Sequence, residues 1–294
     1  MLKRMRIGLM VAAMAGPVMA GLTSGPRVAS AEPVGPASVV LAPHRAIYDL
    51  SLDHSTPGSS VSDVSGRIVY EITGSPCEGY TQNMRFFSVT ANQDGAAQQT
   101  DLRTSSWEDV PARKLRFSSS NFQNDNLTEQ SRGQAVREGP QSMGKAELTR
   151  PAKKSVEIPA TARFPVQHSM ELIAAARAGR HVLTADLYDG SEDGSKIYAT
   201  STLIGYPIAP GATTALASFK DGAALDKIPS WPVSISYFSP GDRRKDELPL
   251  YEMSYRFHEN GVTSGITIDY GEYAVKAELK DLTYLEAAKC EPAH

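Results

Sequence analysis

The hydrophobic and polar positions of this chain alternate with a period of two over most of its length. From His44 onward Ala46, Tyr48, Leu50 and Leu52 alternate with polar residues, until Thr56-Pro57-Gly58-Ser59 turns the chain. Ile68, Tyr70 and Ile72 repeat the pattern and Gly74-Ser75-Pro76 closes it; a longer run over 80–90 ends at Asn92-Gln93-Asp94-Gly95. Leu102 and Thr104, then Leu115 and Phe117, continue it. Further runs at 182–188 and 197–206 flank Asp189-Gly190-Ser191-Glu192-Asp193-Gly194, which reads as a hairpin loop, and others cover 231–238, 250–258, 262–270 and 273–285. Alternation punctuated by Gly, Pro, Asn and Asp is the mark of half-buried antiparallel strands, and about fourteen are predicted. Residues 118–150 are more polar, so strands there are expected to face water on both sides or to lie at an edge.

One segment breaks the period. After Phe164-Pro165, residues 167–178 are rich in helix formers, with Pro165 suited to a first turn, Arg177 near the C-terminal end and Gly179 at a left-handed cap position. Met170 and Ile173 lie on one side of this helix and Leu172 on another. A helix apolar on most sides is buried on most sides. In a protein otherwise built of sheet, it belongs in the concavity of a curved sheet, with Met170, Leu172 and Ile173 as its lining residues.

The N-terminus adds a compartment. Lys3, Arg4 and Arg6 precede an apolar run over 7–20 that is too short to span a bilayer as a helix. A positive start, a short apolar stretch and small residues at a cut site read as a secretory signal. Val18-Met19-Ala20 and Ala29-Ser30-Ala31 compete as the cut site; the second fits the small-x-small rule better, giving a signal peptide over 1–31 and a mature chain from Glu32. No cysteine lies near either site to carry a lipid, so the mature protein is expected to be soluble and periplasmic. Residues 32–43, with Pro33, Gly35, Pro36 and Pro43 and no period, read as a flexible linker. The leader holds four of the 30 basic residues and none of the 33 acidic ones, leaving a mature charge of about −7. Dispersed, net acidic charge argues against nucleic-acid binding, which needs clustered Lys and Arg.

Two cysteines in an exported chain, Cys77 and Cys290, read as one structural disulfide. A redox or metal thiol would need a CxxC spacing or nearby His ligands, and neither is present. The remaining chemistry is sparse. Gly139-Pro140-Gln141-Ser142-Met143-Gly144-Lys145-Ala146 has the spacing of a phosphate loop but lacks the hydroxyl at Ala146 and opens no helix. Asp189, Ser191, Asp193 and Gly194 resemble part of a calcium loop whose twelfth position is Thr200 instead of Glu. The histidines at 44, 54, 168, 181, 258 and 294 form no ligand motif, and His168, one turn from Leu172, reads as a core histidine with a structural partner. No GxSxG elbow occurs. Asn126-Leu127-Thr128 matches a glycosylation sequon by chance. No catalytic residue, metal site or cofactor is predicted.

The helix over 164–179, Ser201-Thr202-Leu203-Ile204-Gly205, Trp231-Pro232-Val233-Ser234-Ile235-Ser236-Tyr237-Phe238, the stretch 251–270 with its Glu259-Asn260-Gly261-Val262 turn, Cys77-Glu78-Gly79-Tyr80 and Cys290 together resemble the EipB family of cell-envelope integrity proteins, over nearly all of 42–291. The resemblance implies one non-enzymatic periplasmic β-spiral over 44–294: an open, highly curved antiparallel sheet with one main helix and a disulfide, similar to lipoprotein carriers. It also implies a periplasmic tetratricopeptide-repeat protein as partner, and no catalytic residues. The concavity allows a second function, carriage of a lipid or lipoprotein acyl chain.

Overall fold

A computed structural model describes residues 39–211, 220–239, 248–287 and 290. The predicted signal peptide and most of the predicted linker lie outside them. Eight strands come first: β1 (His44–Ser55), β2 (Val61–Ser75), β3 (Gly79–Asn92), β4 (Ala97–Glu108), β5 (Lys114–Gln123), β6 (Asn126–Arg137), β7 (Gly144–Arg150) and β8 (Lys154–Ile158). The two-residue β9 (Ala162–Arg163) and helix α1 (Pro165–Arg177) follow. Then come β10 (Val182–Leu187), β11 (Tyr198–Ile204), the short α2 (Gly222–Leu225), β12 (Ser230–Phe238), β13 (Tyr251–His258), β14 (Thr263–Asp269) and β15 (Tyr273–Tyr284).

All fifteen strands belong to one sheet, in the order β8-β7-β6-β5-β4-β3-β2-β1-β15-β14-β13-β12-β11-β10-β9. The fold is all-β, a single antiparallel sheet that curves until it nearly closes. The one parallel pairing is that of β9 with β10, at Asp186↔Ala162 and Leu187↔Arg163. Two residues are too few to show in an alternation, which is why β9 escapes a sequence reading. Its position explains the curvature. β8 and β9 are the two ends of the ladder yet are joined only through Pro159-Ala160-Thr161, so so short a connection holds the sheet's ends side by side. The sheet thus comes round on itself with a seam that the chain crosses covalently. Opposite the seam, β1 and β15 join the two halves through a long ladder from His44↔Tyr284 to Ser55↔Tyr273.

The seam corrects the expectation for 118–150. Leu115, Phe117, Ser131, Ala135, Ala146 and Leu148 are all buried, so β5 to β7 face water on one side only. What covers them is the β10–β11 hairpin loop. A Cβ on Gly190 would lie 2.2 Å from the Phe117 ring, and one on Gly194 would lie 3.0 Å from Leu148. Both glycines have positive φ, 73° and 80°, so each supplies a turn and a close approach together. Ser131 donates to the Gly190 carbonyl and Phe117 meets Tyr188 edge to face at 5.8 Å. The inner face of these strands is polar and small because the opposite wall arrives so close, not because it is wet. Nor do these strands lie at an edge: the ladder ends on β8, beyond them.

The linker reading also needs correction at its C-terminal end. Val39 and Leu41 are buried, 1% and 3% exposed, in the same cluster as α1, and the Tyr80 hydroxyl accepts the Leu41 N–H at 3.2 Å. Two apolar residues among prolines carry no period, so the sequence hides their burial. Cys77, in the β2–β3 turn, is disulfide-bonded to Cys290 beyond β15, with Cα atoms 5.7 Å apart.

Candidate functional site

The concave side of the sheet is where a helix, a buried charge cluster and unfilled surface meet. α1 ends as its sequence predicts. Gly179 adopts φ 67°, and the N–H groups of Gly179 and Arg180 bond the carbonyls of Ala176 and Ala175 at 3.0 and 2.9 Å, closing a Schellman cap. Met170, Leu172 and Ile173 are 2%, 1% and 0% exposed. They join one cluster with Ile72 and Tyr80 from β2 and β3 and with Trp231, Val233, Ile235 and Phe257 from β12 and β13. The helix therefore touches both halves of the sheet.

Its N-terminus is held by a charge that the sequence reading did not single out. Glu108, 1% exposed at the end of β4, accepts the N–H groups of Val166 and Gln167 at 2.7 and 2.8 Å, two of the donors a helix leaves unsatisfied at its start. Beside it Arg137 donates to the carbonyls of Ala112 and Ala162 at 2.6 and 2.8 Å and to the Gln167 side-chain oxygen at 2.6 Å, with its guanidinium 4.0 Å above the Phe164 ring. Gln167 passes the network on to Glu171 at 2.8 Å, which pairs with Arg163 at 2.8 Å. Burial pushes the Glu108 carboxyl up to about 8, against the pull of the two helix N–H groups and Arg137. The one visible signal was Gln167, a helix former with a side-chain amide at the third helical position. Glu108 and Arg137 sit at strand ends, where polarity is unremarkable.

Three histidines are buried in the sheet and helix. His168 is buried and its Nε2 meets no partner among the described residues, so the satisfied core histidine expected from the spacing is only half right. Burial drives it down to about 4, as it does His258, and lowers His44. His44 donates through Nδ1 to the Ala42 carbonyl at 2.7 Å, with its Nε2 unpartnered among the described residues and its ring 5.7 Å from Tyr70. Among the described residues no group of three or more His, Cys, Asp or Glu is placed to hold a metal, and the calcium-like loop packs through Gly190 and Gly194 on β5 to β7. The phosphate-loop-like segment opens strand β7 and not a helix.

Beyond the helix the concave wall changes character. On β2 to β4 the inward residues Tyr70, Gln82, Met84, Phe86, Leu102 and Thr104 are only half-buried. Gln82 donates to the Tyr70 hydroxyl at 2.7 Å. This wall offers apolar area with a few hydroxyls and amides and no nucleophile paired to a base.

A family model described as EipB-like matches residues 36–286. The chain belongs to the EipB-like family. It is 34% identical over 254 residues to the cell envelope integrity protein EipB of Brucella abortus (strain 2308), an alignment spanning 86% of this chain and 87% of that protein. It also superimposes on the crystal structure of a beta-barrel-like protein from Brucella abortus, described as a domain of unknown function, with TM-score 0.75 and 34% identity over 85% of this chain and all of that one. Neither relative bears the name of an enzyme.

Proposed function

We propose that this EipB-like chain is a non-enzymatic periplasmic protein that maintains the cell envelope by binding a protein partner, the resemblance to the EipB family implying a tetratricopeptide-repeat protein. The observation that carries this is the relationship, at 34% over 86% of the chain, to a protein named for cell-envelope integrity. The helix supports it: α1 takes up part of the space a cargo would occupy, with Met170, Leu172 and Ile173 fully packed. A charged leader and a Cys77–Cys290 bridge suit an oxidising, extracytoplasmic compartment. The test is in two parts. Fractionation of cells should yield a cleaved chain in the periplasm, beginning near Glu32. Native purification from that fraction followed by mass spectrometry should recover a stoichiometric protein; an uncleaved cytoplasmic chain sinks the reading.

Carriage of a lipid or acyl chain is the second reading, favoured by the half-buried Met84, Phe86 and Leu102 on the wall that α1 does not cover. A co-purifying lipid in place of a protein would support it.

A further inference from the structure

The partner reading leaves open where a partner would sit, and one edge of the sheet is built for it. Antiparallel pairing with β11 uses the backbone of every second residue of β10. The Ile204 N–H bonds the His181 carbonyl at 2.9 Å, so His181, Leu183 and Ala185 turn their backbone groups toward β11. Val182, Thr184 and Asp186 turn theirs the other way. β9 pairs there with Asp186 and Leu187 and goes no further. The N–H and C=O groups of Val182 and Thr184 therefore have no strand partner among the described residues, and both residues are exposed. Proteins blunt such edges with charged residues, proline or a bulge. On the other end of the ladder Pro159, Lys154 and Glu157 do this for β8, whereas 182–184 is Val-Leu-Thr.

The outer face beside this edge is apolar. Val182 and Leu203, a directly opposed cross-strand pair, are 57% and 59% exposed. Leu203 leads into an open cleft of about 410 Å³ lined by Gly205, Pro232, Ser234, Ser254 and Arg256. Gly205 opposes Pro232, and a Cβ on Gly265 would meet nothing, so glycine keeps the cleft floor clear. Tyr206, 79% exposed, stands at one end with its ring 4.9 Å from His181. No carboxylate lines the cleft. Arg256 lies in it, bonded to Ser230 at 2.7 Å, and the exposed Arg180 flanks the edge with no ion pair among the described residues. On a chain of net charge −3, the described residues that line this cleft include no carboxylate, and the exposed Arg180 lies beside it.

We propose that the open edge of β10 is a docking site for an extended, acidic segment of a partner protein, which adds as a strand beside Val182–Thr184 and lays alternate apolar side chains over Val182, Leu203 and Pro232. The backbone edge supplies affinity, the apolar row supplies register, and the exposed Arg180 selects negative charge. The inference rests on the protein-partner reading and refines it.

The probe is a short fluorescein-labelled peptide of alternating Val and Glu, titrated against the full mature chain by anisotropy. It should bind, more weakly as salt rises, and N-methylation of one alternating set of its amides should abolish binding while methylation of the other set leaves it. Thr184→Pro removes an edge N–H without touching the β10–β11 ladder, and with Leu203→Glu should weaken binding by about tenfold or more. Arg180→Glu should weaken it and flatten the salt dependence. Thermal melts that match the parent chain confirm that the variants fold. Failure of the peptide to bind, or equal binding of both methylated peptides, overturns the edge site. A periplasmic partner that holds the Thr184→Pro and Leu203→Glu chains as tightly as the parent also overturns it, and leaves the partner reading standing. The absence of any bound periplasmic protein, with the peptide still bound, has the opposite meaning: the edge survives and the partner reading falls.

Discussion

The inner faces of β11–β13 and of β3–β4 follow the same alternation in the same sheet but are filled differently. On the first, Tyr198, Trp231, Ile235, Tyr237 and Phe257 are buried against α1, and Tyr237 stacks on Tyr251 at 4.4 Å. On the second, Gln82, Met84, Leu102 and Thr104 face the same interior half-buried. A helix that plugs only part of a curved sheet makes one wall a core and leaves the other a surface. Large aromatic residues mark the wall that carries stability, and the mixed wall is free to change.

The sharpest way to break this contrast is to charge the plugged wall. Ile173→Asp places a carboxylate in a fully buried apolar cluster and is expected to unfold the chain, while Met170→Ala, Leu172→Ala and Ile173→Ala should each cost about 2–5 kcal/mol in chemical denaturation. Next comes the bridge. Cys77→Ser or Cys290→Ser is expected to lower stability by about 2–5 kcal/mol, toward the lower end because the β1–β15 ladder already holds the chain's ends together. Equal melting temperatures with and without reductant would show the bridge to be idle.

The helix anchor predicts a pH signature. The folded chain holds the Glu108 proton up to about 8 and the unfolded chain only to 4.5, so this contribution is full below 4.5 and is lost as pH rises through about 8. His168 and His258 act oppositely. Their folded values lie near 4 against 6.5, so their contribution is full above 6.5 and is lost as pH falls through about 4. Melting temperature against pH should thus decline on both sides of neutrality, and Glu108→Gln should flatten the alkaline arm while leaving the acid arm. A Glu108→Gln chain with an unchanged alkaline arm would remove Glu108 from this role. The smallest effect belongs to the mixed wall, where Thr104→Ala and Gln82→Ala should each change stability by about 0.5–1 kcal/mol or less. A loss as large as that of Leu172→Ala would erase the contrast.

Strands, helix and bridge were legible because each leaves a local mark: period two, an apolar run between Pro165 and Gly179, and a single pair of cysteines. The seam was not. Its parts are Phe117, Ser131 and Leu148 on one side and Gly190 and Gly194 on the other, and nothing in the spacing of these residues says that they touch. The same holds for the anchor, in which Glu108 meets Val166 across 58 positions. Val39 and Leu41 were hidden by the prolines around them. Half of a core histidine was read correctly at His168, because helical spacing reports burial and not the partner a ring nitrogen will find.

The ladder order has a consequence for how the chain must be made. Synthesis reaches β1 first among the strands, and its partner β15 is nearly the whole sheet away in sequence, so one of the longest ladders cannot form until translation is almost finished. Loops of that length close slowly, and β1 exposes an unpaired edge meanwhile. If the native ends were joined and the chain reopened between β8 and β9, the order would run β9 to β15 and then β1 to β8, with every spatial neighbour a neighbour in sequence. Such a circular permutant keeps all the ladders of the native sheet and should refold faster than the natural chain.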